Sequence, residues 1–152
     1  MSIKEKTEKI ISIAQSLIGT PYKYGAKMSD APHFFDCSGF VKYIFAQVGY
    51  ELPRSTIEQA EFAGRQINSL KEIAPCDVIF LHGERGHYNS KFPEGIGHVV
   101  VYMGNGQVIH AGSKRTSEYP EKIIEKGEVK VSSLDKALKN SGPIVVIKRI
   151  LD

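Results

Sequence analysis

Cys37 lies in the run Asp36-Cys37-Ser38-Gly39-Phe40, where a loop turns into an amphipathic helix. A thiol there can act as a nucleophile. The unpaired amides and the positive end of the helix dipole favour thiolate over thiol. Asp36 suits the N-cap, because a short carboxylate accepts from the first free amides. Phe40, Val41, Ile44, Phe45 and Val48 recur at helical spacing behind it, and Gly49 is the expected stop. That apolar stripe begins three residues after Cys37, so the thiol belongs at the helix mouth and not in the packed middle of the helix. The plainer alternative for a free cysteine is a buried structural one.

A nucleophilic thiol needs an imidazole to take its proton and return it to the leaving group. Five histidines are present: His33, His82, His87, His98 and His110. The first three fall in loops and read as surface residues. His98 and His110 fall in two strands joined by Gly104-Asn105-Gly106. A loop of only Asn105-Gly106 would turn the two histidines to opposite faces. A three-residue loop pairs His98 with Gly112 and His110 with Val100, which puts both imidazoles on one face. They would then be diagonal neighbours on the order of 7 Å apart. A dyad with an orienting third residue therefore predicts the three-residue loop.

The elements that must position these groups can be read in outline. A helix over 6–18, with Ile10, Ala14, Leu17 and Ile18 on one face, stops at Gly19 before Pro21. Ser55-Thr56-Ile57-Glu58 is a capping-box pattern opening a short helix with Ala60 and Ala63. Strands are expected over 77–81, 98–103, 107–111 and 144–150, with a further candidate over 128–131 and a capped helix or turn over 132–138. Segments 26–35, 82–97 and 112–127 read as loops. Helices followed by an antiparallel meander indicate an α+β layer fold. With 152 residues and no linker or repeat, residues 1–152 form one domain.

A formal charge of +3 spread over 20 dispersed Lys and Arg gives no nucleic-acid surface. Cys37 and Cys76 are the two cysteines, too few for a disulfide framework, though one bridge is an alternative. Cys76, His82 and His87 follow no zinc-ligand spacing, so neither metal nor cofactor is expected. Residues 10–18 are interrupted by Ser12, Gln15 and Ser16, which excludes a signal-peptide core, and nothing is long enough to span a bilayer. The expectation is synthesis in the cytoplasm. Action would follow at the cell wall by a non-standard route, or in the cytoplasm on recycled wall fragments. Oligomeric state is not legible.

The ordered motifs carry a family resemblance. They are Gly19-Thr20-Pro21-Tyr22-Lys23-Tyr24-Gly25, Asp36-Cys37-Ser38-Gly39-Phe40-Val41, Leu52-Pro53-Arg54-Ser55-Thr56 with Gln59, Pro75-Cys76-Asp77-Val78-Ile79-Phe80, and Gly97-His98-Val99 through to Ile109-His110-Ala111. In this order the chain resembles the NlpC family of bacterial cell-wall cysteine peptidases, papain-like enzymes reduced to a single small domain. The resemblance covers residues 10–111 and fits the final strand. It implies N-terminal helices packed on an antiparallel sheet, with Cys37 as nucleophile, His98 as base and acid, and His110 as the third, orienting residue. It further implies Tyr22 beside the nucleophile, and Asp36, Ser38 and Thr56 (rather than Ser55) as substrate contacts. The implied substrate is a peptidoglycan stem peptide or muropeptide, cut between D-glutamate and a diamino acid. A papain-like acyltransferase or deamidase, or a silent wall-binding module, are the alternatives. Ala26 and Cys76 depart from the family, which usually has glycine at both, and Cys76 thereby marks a special backbone or redox feature.

Overall fold

Four α-helices and a six-stranded antiparallel sheet build the chain in the computed structural model, which describes residues 1–115, 117, 120–122 and 124–152. Helix α1 spans Ile3–Ser16 and begins earlier than the apolar spacing predicts. The reason is a capping box: Ser2 accepts from the Glu5 amide while the Glu5 carboxylate accepts from the Ser2 amide. Ile10 and Ala14 are buried as expected, but Ile18 is exposed, because the helix closes at Leu17 and the chain leaves the helical period.

Helix α2 spans Cys37–Ala46 and is the element that carries the thiol. Asp36 is its N-cap, accepting from the Gly39 amide at 2.7 Å. Phe40, Val41, Ile44 and Phe45 are buried, and each contributes about 2 kcal/mol of apolar transfer free energy. Phe35 anchors the approach to the helix mouth. Its ring meets Phe40 edge-on at 5.6 Å and Tyr43 at 5.4 Å. Helix α3, Thr56–Phe62, is capped by Ser55 and buries Gln59 and Ala60. Helix α4, Leu134–Ser141, is capped by Ser133, slightly later than the sequence pattern places it.

The strands are β1 Arg65–Ile67, β2 Val78–Leu81, β3 His98–Gly104, β4 Gln107–Arg115, β5 Glu125–Ser133 and β6 Ile144–Arg149. Their spatial order is β1-β6-β2-β3-β4-β5, and every neighbouring pair is antiparallel. Alternation splits the sheet cleanly. Val78, Phe80, Val99, Val101, Ile109, Ala111 and Val129 pack in one core with α1, α2 and α3. Ile79, Leu81, Val100, Val108 and Ile147 form a second core with Ala137 of α4. Strand β2 is buried throughout, as a short apolar run covered on both faces must be.

Three expectations need correction. Strand β1 has no signal in the sequence; it is three residues long and is held by pairing with β6. Much of the segment read as a loop over 112–127 is strand. Ladder pairs run from Gln107↔Ser133 to Arg115↔Glu125, while residues 116, 118, 119 and 123 lie outside the described ones. The hairpin loop is also shorter than predicted. Gly104 pairs with Gln107 across a two-residue turn, with Asn105 at φ 53° and Gly106 at φ 73°. The ladder then shifts between Tyr102 and Gly104, so Met103 is extra and the register beyond it is Val101↔Ile109. That is the register the longer loop would have produced, and the two histidines still share a face.

Cys76 precedes β2 with φ 74°, the left-handed backbone that favours glycine. Its special feature is therefore conformational. Its thiol is buried against the Thr7 carbonyl, and both cysteines are free. Among the described residues, no helix is long and apolar enough to cross a membrane, and no group of three His, Cys, Asp or Glu could hold a metal.

Candidate active site

The Cys37 thiol is partly buried at the mouth of α2, and its sulfur lies 3.7 Å from the Thr56 hydroxyl at the start of α3. The backbone amides of Ser38 and Val99 also face the sulfur and favour thiolate. Val99 follows His98 on β3, so the helix mouth sits against the first residues of that strand. Burial outweighs these contributions. It pushes the thiol up to about 11, with the Asp36 carboxylate adding to the rise.

The two strand histidines are in direct contact. His98 Nε2 and His110 Nδ1 are 2.8 Å apart, with the rings edge-to-face at 4.9 Å. His110 is 8% exposed. Burial holds both imidazoles well below the ordinary histidine range. Lys130 lowers both further, as does the neighbouring imidazole for His110. Lys130 is paired with His110 on β5. At neutral pH both rings are thus uncharged, and the thiol is protonated.

Tyr22 reaches the site from the loop after α1, tied by its amide to the Gly127 carbonyl at 2.9 Å and bridged to Phe35. Burial raises its phenol above the ordinary tyrosine range, an ionised Cys37 and the carboxylates of Glu125 and Asp36 add to the rise, and a hydrogen bond with Ser113 opposes it. It therefore remains a donor. Asp36 and Ser38 flank the thiol, but both are already engaged. One Asp36 oxygen caps Gly39 and the other pairs with Arg54 Nη2 at 2.8 Å, while Ser38 Oγ accepts from Arg54 Nη1 at 2.9 Å. Ser55 spends its hydroxyl as the α3 cap, which leaves Thr56 as the hydroxyl facing the thiol.

Cys37, Tyr22, Asp36, Ser38 and Thr56 therefore fall around the α2 mouth, and His98 and His110 form the pair beside it. His33 and His87 are exposed and His82 half-buried. Sequence reasoning gave no role to Arg54, Gly112 or Lys130. Arg54 was visible only as part of the Leu52-Pro53-Arg54 motif. Lys130 and Gly112 could be assigned only once the β4–β5 register was known.

A cysteine at a helix mouth, set beside a histidine pair on an antiparallel sheet, defines a papain-like α+β domain. The NlpC/P60 family model matches residues 19–137, and the chain belongs to that family. It is 39% identical over 102 residues to the probable endopeptidase p60 of Listeria seeligeri, covering 67% of this chain and 17% of that protein. It is 33% identical over 118 residues to the peptidoglycan endopeptidase RipB of Mycobacterium tuberculosis, covering 71% of this chain and 44% of that one. The chain thus spans less than half the length of these curated relatives. Among solved structures, the P60 domain of an antigen from M. avium subspecies paratuberculosis superposes with a TM-score of 0.67 at 29% identity. That match covers 99% of this chain and 98% of the other.

Proposed function

We propose that this domain is a cysteine peptidase that hydrolyses amide bonds in peptidoglycan stem peptides through a Cys37-His98-His110 triad. The bond between D-glutamate and the following diamino acid is the proposed target. The observation that carries the reading is the 2.8 Å contact between His98 and His110, on a strand whose next residue faces the Cys37 sulfur. Similarity to p60 and RipB supports the substrate class.

The proton positions follow from that contact. His98 Nε2 is engaged with His110, so Nδ1 is the nitrogen available to the thiol. To accept a proton, Nδ1 must be bare, which puts the proton on Nε2 and makes His110 Nδ1 the acceptor. His110 thereby fixes the tautomer and steadies the imidazolium that forms. Because thiol and imidazole are both neutral at rest, proton transfer accompanies attack on the carbonyl. His98 then protonates the leaving amine, and water releases the acyl group. Gly39 and Phe40 amides are satisfied by Asp36. Those of Cys37 and Ser38 have no acceptor within the helix. The Cys37 amide and the Tyr22 hydroxyl are the proposed donors to the oxyanion.

Mass spectrometry of digests of free stem peptides and of intact sacculi tests the reading. The expected products are an acid ending in D-glutamate and an amine beginning with the diamino acid. Cys37→Ala and His98→Ala should each abolish turnover. Hydrolysis that survives in both variants would overturn the mechanism, and transfer of an acyl group to another acceptor would overturn the assignment as a peptidase.

A further inference from the structure

The residue before α3 whose side chain crosses to the α2 mouth is Arg54. Its guanidinium donates to Asp36 Oδ2 at 2.8 Å, to Ser38 Oγ at 2.9 Å and to the Ala26 carbonyl. It therefore holds the residue before Cys37, the residue after it, and the loop that leads into the site. The segment carrying Arg54 is fixed to α2 a second time. Gln59 Nε2 donates to the Pro53 carbonyl at 2.8 Å and to the Ser38 carbonyl at 3.0 Å, inside the core. Gly39 completes the arrangement by its lack of a side chain. A Cβ there would lie 2.8 Å from Asp36 Oδ1 and 3.3 Å from Arg54 Nη2. Only glycine at that position admits both the cap and the clamp.

We propose that Arg54 is the positioning residue of the nucleophile. It locks Cys37 between two clamped neighbours and offsets part of the charge of the adjoining Asp36 carboxylate. This rests on the reading of Cys37 as nucleophile. The groups facing the thiol are few. Among the described residues they are Asp36 from its own cap, Tyr22 from the loop after α1 with Glu125 of β5 behind it, Thr56 from α3, and the amides of Ser38 and Val99, with the His98–His110 pair and Lys130 on the adjoining strands. Asp36 is the carboxylate next to the sulfur, and it acts against ionisation of the thiol. A planar fork bound to it at 2.8 Å offsets that field without occupying the place of a substrate carbonyl.

The test is the rate of Cys37 alkylation by iodoacetamide at fixed pH, located by peptide mass spectrometry, with buried Cys76 as internal control. Arg54→Met leaves the carboxylate uncompensated. A rise of about one pH unit in the ionisation midpoint gives about tenfold less thiolate, partly offset by the about threefold greater reactivity of a more basic thiolate. The expected result is alkylation slowed by about threefold at pH 8. Asp36→Asn should restore that rate in the Arg54→Met background and raise it by a smaller factor beside the native arginine. Arg54→Gln keeps donors without charge and reads the same cycle if the methionine variant does not fold. Arg54→Lys should keep the alkylation rate but lower kcat, because it restores charge without the fork. An equal effect of Asp36→Asn in both backgrounds, or an unchanged rate in folded Arg54→Met and Arg54→Gln, would overturn the proposal. A wild-type protein whose Cys37 is no more reactive than Cys76 would instead overturn the nucleophile assignment itself.

Discussion

Gly112→Ala is expected to disable the histidine pair without touching either histidine. The β3–β4 register that pairs Val101 with Ile109 places Gly112 opposite His98, and the β5 ladder pairs it with Glu128. His110 leans its ring over this gap. A Cβ on Gly112 would stand 2.8 Å from His110 Cε1, 3.1 Å from Nδ1 and 2.8 Å from Lys130 Cε. The lysine stem can swing away. The ring must withdraw by about 0.7 Å to regain carbon–carbon contact near 3.5 Å. Nδ1 lies on the displaced edge, so its 2.8 Å bond to His98 Nε2 opens to about 3.5 Å, where it ceases to be a hydrogen bond. A buried polar group that loses its partner costs about 1–3 kcal/mol, against about 0.5–1 kcal/mol regained by replacing a strand glycine. The net loss of stability is about 0–2.5 kcal/mol, centred on about 1 kcal/mol, read as a lower denaturant midpoint. The catalytic loss is larger. A misplaced orienting group costs about 10²-fold in kcat. Steady-state kinetics on a stem-peptide fragment, with NMR of the imidazole N–H protons, would check both. A kcat within threefold of wild type, with the histidine N–H resonance intact, would refute the reasoning.

Two further expectations follow from the same electrostatics and packing. Arg149 grips Asp77 with two bonds of 2.8 and 2.7 Å, and the Asp77 side chain is 1% exposed, so Arg149→Met strands a buried carboxylate. That should cost about 3–5 kcal/mol in urea unfolding, and a loss under 1 kcal/mol would contradict it. Because burial holds both imidazoles below their ordinary value of 6.5, kcat/KM should stay level as pH falls from about 8 through 6.5 and drop only at lower pH. Stability follows the same sign. The unfolded chain takes up protons first, so the contribution of the neutral pair is complete above 6.5 and is lost as pH falls towards the depressed native values. An acid limb centred at 6.5 or above would show that the pair is not buried as described.

Helix α2 and the β3–β4 hairpin were legible because each is written locally. A cap, an apolar stripe and a turn at Asn105-Gly106 all lie within a few residues of the side chains they place. The placement of His98 and His110 on one face was also legible, though the reason differed. Met103 bulges from the ladder to do what a third loop residue was expected to do, and a bulge leaves no mark that distinguishes it from a longer loop. Arg54 was opaque for another reason. Its partners lie 16 to 28 residues away across three segments, and no periodicity records a contact of that kind. The outer halves of β4 and β5 were missed because Gly112, Ser113, Lys126 and Gly127 are weak strand formers, which hold their conformation by pairing with each other.

The charge state of the site bears on how the three parts depend on one another. A thiol raised to about 11 and imidazoles held low do not form a standing ion pair, so the helix mouth alone does not activate Cys37. Ionisation has to be coupled to proton uptake by His98. That uptake is favourable only if His110 is in place to receive the Nε2 proton bond as charge develops. The opposing influences are fixed by single residues on separate elements: Asp36 against the thiolate, Lys130 against the imidazolium, and Arg54 against Asp36. Removing Arg54 and removing Lys130 should therefore act in opposite directions. The first makes the thiol harder to ionise, and the second makes the imidazole easier to protonate. Their pH profiles separate the nucleophile's environment from the base's. A domain whose thiolate was set by the helix dipole alone would respond to neither.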